Sequence, residues 1–310
     1  WALYGPVTVL RLPTAVDAHD AARHGAAYAT GDLLAFLAAG AVLAPDALPR
    51  CAAALAADPR LGAVVAHTRA RHAETNLLTR AQDAWLDSRF RVTVAAEAAV
   101  GALTDAPAGA WLCRREAVYA HLAAWEPGRS LGALVRGQRR DGARWRLRHA
   151  DSPFAGPAAR PGRAWRVGYV ASARVYVPVP DDVTGFLAAQ GRRWARAAPA
   201  LAATLRYAGA GGAAWVYAHA AARLVGPVAA AWCLVGAPAT GAWAATVAYL
   251  AAVGVAGLAQ GIAAALERPH VPGWAYQPVS RLSGALLHPL VPAYALLHAV
   301  RARRAAAGTR

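Results

Sequence analysis

Apolar and polar positions are unevenly distributed along the chain, and a change near residue 207 divides it in two. Ahead of that point, short apolar runs alternate with amphipathic segments. Val7–Leu10 predicts a short strand, Leu33–Leu37 a buried strand of parallel-sheet type, and Gly62–Ala66 another strand. Asp46 is placed to cap a helix that runs to about Ala57 and stops at Asp58-Pro59. From Asn76 to about Ala98, the residues Leu78, Gln82, Trp85, Leu86 and Phe90 fall on related helical faces. Strand, helix and strand in this order predict a βαβ sheet. Trp165–Tyr169 and Val175–Pro178 predict two further short strands. An amphipathic helix capped by Asp181 or Asp182 follows, with Val183, Phe186, Leu187, Gln190 and Trp194 along one side, and ends at Pro199.

Beyond residue 207 the pattern is continuous hydrophobicity. Ala213–Val235 is apolar except for His219 and Arg223, and Gly241–Leu266 carries no charge. Roughly 20 apolar residues are needed to cross a bilayer core. Segments 213–235 and 241–266 therefore predict a transmembrane hairpin, and 282–300, broken by Pro289 and Pro292, is a third candidate span. The basic tail Arg301-Ala302-Arg303-Arg304, and Arg192, Arg193, Arg196 and Arg206 ahead of the first span, are expected on the cytoplasmic side. Two cytoplasmic ends require an even number of crossings, so three candidates leave the parity open.

Composition adjusts this picture. The 310 residues hold 33 basic against 17 acidic side chains, a formal net charge of +16, yet 57% are hydrophobic. That is too apolar for a disordered basic tail. Every basic residue is arginine, Met is absent, and Asn76 and Ile262 are the only residues of their kinds, so part of the charge reflects codon bias. The missing Met predicts that the chain begins downstream of its initiation residue. Arginines are scattered through the first 206 positions with no basic stripe carrying stacking platforms, which argues against nucleic acid as a partner. Cys51, Cys113 and Cys233 lie far apart without metal-ligand spacing and read as buried small residues.

Gln190-Gly191-Arg192-Arg193-Trp194 is a Gln-x-x-Arg-Trp element on an amphipathic helix just before the first apolar span. In that setting the chain resembles the membrane-bound family 2 glycosyltransferases, the processive synthases of hyaluronan, chitin, cellulose and poly-N-acetylglucosamine. Other pieces follow in family order: Ala29–Leu37 with Ala44–Leu48 is similar to the strand and helix around the sugar-nucleotide site, and Asn76–Arg80 and Gly109–Glu116 are similar to the next helix and the acceptor-side turn. The resemblance implies an α/β fold: a partial GT-A mixed sheet with flanking helices over 1–180, an interfacial helix over 181–206, and a transmembrane region over 207–310. It implies a protein of the bacterial inner membrane with its α/β domain cytoplasmic. A UDP-sugar would be the donor, a growing polysaccharide the acceptor and the lipid bilayer a partner, with sugar transfer by inversion. Gln190, Arg193 and Trp194 would bind acceptor and diphosphate, since Arg offers a fork that fits phosphate and Trp a flat face for a sugar.

The family also implies Mg²⁺ or Mn²⁺ on an Asp-x-Asp that follows the Leu33–Leu37 strand. Here that position reads Ala38-Ala39-Gly40, without an oxygen ligand. The carboxylate base that deprotonates the acceptor falls near Asp151 when aligned back from Trp165, or near Glu126 when aligned forward from Trp125. Two readings follow: a glycosyltransferase with altered motifs, or a pseudo-glycosyltransferase that scaffolds an active partner subunit or binds a glycan. A frame error over Glu126–Ala164 would also remove the base motif.

Overall fold

The computed structural model describes residues 8–12, 18–100, 103, 109–119, 165–192, 210–267, 272–287, 289–291 and 294. After helix α1 (Ala18–Tyr28), the strands β1 (Leu33–Leu37) and β2 (Val42–Leu43), helix α2 (Ala47–Ala57) and strand β3 (Leu61–Ala70) follow in turn. Helix α3 (Leu77–Ser88) continues through a π-helical turn (Arg89–Val94) into α4 (Ala95–Ala99). Next come β4 (Ala110–Arg114), α5 (Arg115–Tyr119) and β5 (Arg166–Val177). The chain is helical again over 183–192, designated α6. The strands form one mixed sheet in the order β1-β4-β3-β5-β2.

β3 is the centre of the sheet because alternate side chains feed two cores. Ala63 and Val65 join Leu86, Phe90 and Val94 on one face, while Val64 and Ala66 join Ala47, Cys51 and Leu55 of α2 on the other. The period of two in a strand allows this division, and spacings of four along α2 supply its buried stripe.

β1 departs from expectation. It pairs antiparallel with β4 at one end of the strand order, and Leu33 and Leu37 are 37% and 45% exposed. An apolar run of five residues does not distinguish a central strand from one covered on a single side. β1 and β3 run parallel, but β4 lies between them, so the expected βαβ unit is split by a later strand. Residues 8–10 form no strand and are exposed, while Val7 lies outside the described residues. The two short strands expected around 165–178 are a single strand, β5. Ala66 of β3 faces Val170 and His67 faces Arg174, so Ala171–Ala173 bulge out between paired halves. Such a bulge bends its strand.

The connection from β1 to β2 dictates curvature. In a flat sheet these terminal strands would stand four spacings apart, roughly 19 Å. Five extended backbone steps reach at most about 18 Å. Here the link Ala38–Ala41 is shortened further by a turn in which the Ala41 N–H donates to the Ala38 carbonyl at 3.0 Å. The sheet therefore curls, bringing β1 and β2 together at its carboxyl edge.

α3 starts as the sequence predicts. The Asn76 side chain accepts from the Thr79 N–H at 2.9 Å while the Thr79 hydroxyl accepts from the Asn76 N–H at 3.0 Å. Asp46 stands at the head of α2 without capping it; its carboxylate instead takes Arg50 Nε at 2.7 Å. Of the two candidate caps of α6, Asp182 holds the position, accepting from the Gly185 N–H at 2.7 Å.

After residue 209, helix α7 (Ala210–Ala231) passes through a π-helical turn (Trp232–Gly236) and a last turn (Ala237–Ala239). Helix α8 (Trp243–Glu267), a 3₁₀ turn (Pro272–Tyr276) and α9 (Gln277–Leu287) follow. Trp243–Leu266 is long and apolar enough to cross a membrane. The predicted span 213–235 falls within α7 and its continuation, where the described apolar stretch, Val225–Ala239, is shorter than a span. The predicted span 282–300 begins inside α9, whose first half packs against α3; its remainder lies largely outside the described residues.

Candidate functional site at the carboxyl edge of the sheet

The carboxyl ends of β1, β3 and β5 and the amino end of β4 share one edge. Open α/β sheets place ligands at such edges, where loops rather than ladder bonds occupy the backbone. The turn Ala38–Ala41 crosses it, anchored by the Ala38 N–H to the Gly109 carbonyl at 2.9 Å. Gly40 has φ +75°, and a Cβ added there would lie 3.2 Å from Pro178 Cγ at the end of β5. Gly40 therefore both supplies the left-handed turn residue and lets β5 close over it. Beside it the Arg71 N–H donates to the Val177 carbonyl at 2.8 Å.

α3 holds this edge from one side. Gln82 Nε2 donates to the Pro180 carbonyl at 2.7 Å, and Asn76 Nδ2 donates to the Asp181 carbonyl at 2.7 Å. These bonds fix the chain between β5 and α6, the helix that carries Gln190. Gln190 is half-buried. Arg193, Trp194 and Asp151 lie outside the described residues.

Behind the edge is a buried ionic cluster that the sequence pattern did not disclose. His67 and Arg69 project from β3 toward Asp83 and Asp87, one helical turn apart on α3. Arg69 grips Asp83 through Nε at 2.8 Å and Nη2 at 2.5 Å, and the Ala70 N–H adds a third bond to that carboxylate at 2.8 Å. Asp87 accepts from His67 Nε2 at 2.9 Å and from Arg91 Nε at 2.8 Å. His67 Nδ1 lies 2.6 Å from the Tyr169 hydroxyl. The arrangement assigns a neutral imidazole that donates through Nε2 and accepts from Tyr169 through Nδ1.

The electrostatics agree with that tautomer. Burial lowers the His67 pKa, outweighing the opposing hydrogen bond and charge of Asp87. Burial would by itself raise Asp87, but the hydrogen bond from His67, the charge of Arg69 and the bond from Arg91 hold it far below the usual carboxylate range. Two carboxylates are thus balanced by two guanidinium groups. Each carboxylate is held by at least two donors from strand or helix. The cluster pins the end of β3 to α3. Its signal was present as His67 and Arg69 at i, i+2 with Asp83 and Asp87 at i, i+4, but strand and helix had to be docked before the two pairs could be matched.

The cysteines are packing residues. Cys51 and Cys113 are buried, as expected, and Cys233 is half-buried. Burial pushes the Cys51 thiol up to about 11 and raises Cys113 as well, which suppresses thiolate chemistry. Asp32 is exposed, with its carbonyl accepting from the Arg115 N–H at 2.8 Å.

A curled mixed sheet flanked by helices, with its turns gathered at the carboxyl edge, fits a GT-A-like α/β fold. Residues 2–122 match the family model described as glycosyl transferase family 2, and this supports a family 2 glycosyltransferase over the segment that contains α1 through α5. No curated protein matches the chain.

The family generally uses a divalent metal, and the described residues at this edge do not fit one. Ala38, Ala39 and Gly40 offer no side-chain oxygen, and among the described residues no group of three or more His, Cys, Asp or Glu side chains is disposed to hold an ion.

Proposed function

We propose that this chain is a membrane-associated protein of the family 2 glycosyltransferase type, which binds a UDP-sugar at the carboxyl edge and passes the sugar to a growing polysaccharide with inversion. The observation that carries this reading is that the matched residues 2–122 supply β1, the Ala38–Ala41 turn and the start of β4, the parts that build that edge. In the reaction, a base takes the proton of an acceptor hydroxyl, whose oxygen bonds to the anomeric carbon as the bond to the diphosphate breaks. Asp151 is the proposed base. Gln190, Arg193 and Trp194, on and just beyond α6, are proposed to hold acceptor and diphosphate. The length and apolarity of α8 support placement in a bilayer; the α/β domain is proposed to lie on the cytoplasmic face of a bacterial inner membrane.

A second reading rests on the Ala38-Ala39-Gly40 turn. Without oxygen donors at that position, the protein is a pseudo-glycosyltransferase that binds glycan or scaffolds an active subunit. One assay separates the two. Membrane vesicles bearing the protein are offered labelled UDP-sugars with Mn²⁺, beside Ala38→Asp. Incorporation by the unaltered protein establishes the enzyme; silence with gain in Ala38→Asp establishes the impaired form.

A further inference from the structure

Among the described residues, the carboxyl-terminal helices and the α/β domain meet where the 3₁₀ turn and α9 pack on α3. Gln277, at the start of α9, is 3% exposed and donates through Nε2 to the Ala84 carbonyl of α3 at 3.0 Å. Arg80 of α3 hydrogen-bonds the Tyr276 hydroxyl, and its guanidinium lies 5.3 Å from the centre of the same ring. On its other flank α9 packs into α8. A Cβ added to Gly257 would lie 2.7 Å from Pro278 Cα, and one added to Gly261 would lie 3.0 Å from the Trp274 carbonyl oxygen. The Gly257-x-x-x-Gly261 spacing thus opens a face of α8 to close backbone approach, as small residues do between membrane helices. Arg281 Nε donates to Gln260 Oε1 at 2.7 Å across the same contact.

The rest of α8 and the helix before it turn apolar side chains outward. Val228, Val235, Val247 and Leu266 are 65–80% exposed, and no Asp, Glu, Lys, Arg or His occurs between Leu224 and Leu266. The turn that joins the two helices keeps its polar groups satisfied internally. The Thr240 hydroxyl donates toward the Gly236 and Ala237 carbonyls at 3.1 Å, and the Thr246 hydroxyl bonds the Cys233 carbonyl within the π-helical turn at 2.6 Å. Trp243–Leu266, 24 residues, is about 36 Å long at ~1.5 Å per residue, against a hydrocarbon core of about 30 Å.

We infer that the 3₁₀ turn and α9 are a bracket that fixes the α/β domain to a lipid-embedded α8, so that the turn at 239–242, where α8 begins, emerges on the bilayer face opposite the carboxyl edge. This rests on the membrane reading given above. The bracket binds the carboxyl-terminal end of α8 to α3, and α3 in turn holds Pro180 and Asp181 at the entry to α6. The catalytic edge is thereby held at a constant height over the bilayer, close to the end of α8.

The test uses the full chain in native membranes, with Cys233→Ala as background. Alkaline carbonate extraction comes first: release of the protein into solution refutes the membrane reading itself. With the protein retained, Ala239→Cys and Glu74→Cys are exposed to a membrane-impermeant maleimide in intact cells and after permeabilisation. Labelling of Ala239→Cys in intact cells, with Glu74→Cys labelled only after permeabilisation, is expected; labelling of both from the same side overturns the inference while the protein remains integral. The bracket is read by hydrogen exchange over 272–287. Gly257→Leu, and more mildly Gln277→Ala, should speed exchange there by about an order of magnitude for the former. Gly254→Leu, with nothing within 4 Å of its Cβ position, should leave it unchanged. Equal exchange in Gly257→Leu and the unaltered chain overturns the bracket.

Discussion

His67 donates to Asp87 across 2.9 Å from the interior of the sheet, and the imidazole is only 1% exposed. Through Asp87 it meets Arg69 and Arg91, and through Tyr169 it reaches the neighbouring strand β5. A single histidine thus connects two strands and a helix in the layer beneath the carboxyl edge.

Truncating Asp87 tests that connection. Asp87→Ala leaves the guanidinium groups of Arg69 and Arg91 without a shared counter-charge in a largely buried place, and loss of one partner from such a cluster costs about 3–5 kcal/mol. Asp87→Asn keeps an acceptor for His67 and should cost clearly less. Denaturant unfolding of the purified protein measures both; equal, small losses would show the cluster to be incidental.

Stability should depend on pH in two windows. In the unfolded chain a histidine takes up its proton near pH 6.5, whereas burial of His67 opposes protonation in the fold. The unfolded state then binds more protons as pH falls through about 6.5, so its contribution, complete above that pH, is lost progressively below it. Asp87, held low in the fold, adds stability above its unfolded value of about 3.9 that is lost on further acidification. Melting temperatures between pH 2 and 8 should fall below neutrality, with the second loss, below about pH 4, absent in Asp87→Asn.

Asn76 carries two duties, the cap of α3 and the bond to the Asp181 carbonyl. Asn76→Ala should cost about 1 kcal/mol through the cap. It should also raise hydrogen exchange at the start of α6, which Asn76→Asp, a cap without the amide donor, should reproduce without the full loss of stability.

At the Ala38-Ala39-Gly40 turn the two ends respond differently. Gly40→Asp must adopt φ +75° and meet Pro178, and the left-handed conformation alone costs roughly 1–2 kcal/mol. Ala38 has no such constraint. Ala38→Asp should fold like the parent and Gly40→Asp should melt lower; indistinguishable melting curves would remove the strain argument.

Much of the architecture was legible from local pattern. The helix over Asn76–Ala98, the α2 helix ending at Asp58, the buried strand at Gly62–Ala66 and the apolar stretch at 243–266 each rest on periodicity, caps or length, which are properties of neighbouring residues. A short apolar run carries no record of which strands flank it, so the antiparallel place of β1 beside β4 is not legible in Leu33–Leu37, and the bulge in β5 interrupts the alternation that would mark it as one long strand. At the site, the loss of oxygen ligands at Ala38–Gly40 was visible in the sequence alone. The convergence of that turn with Gly109 and Pro178 was not, since residues distant in sequence meet only when the sheet curls. The same holds for His67 with Asp87 and for Gln277 with Ala84. Sequence determined the extent of α2, the start of α3, the stretch with the length and apolarity of a membrane span, and the lack of a side-chain oxygen at Ala38–Gly40. Tertiary structure decided which buried charges neutralise one another and where α8 is fastened, because pairing of charges and close approach of backbones depend on docking between elements that no local period encodes.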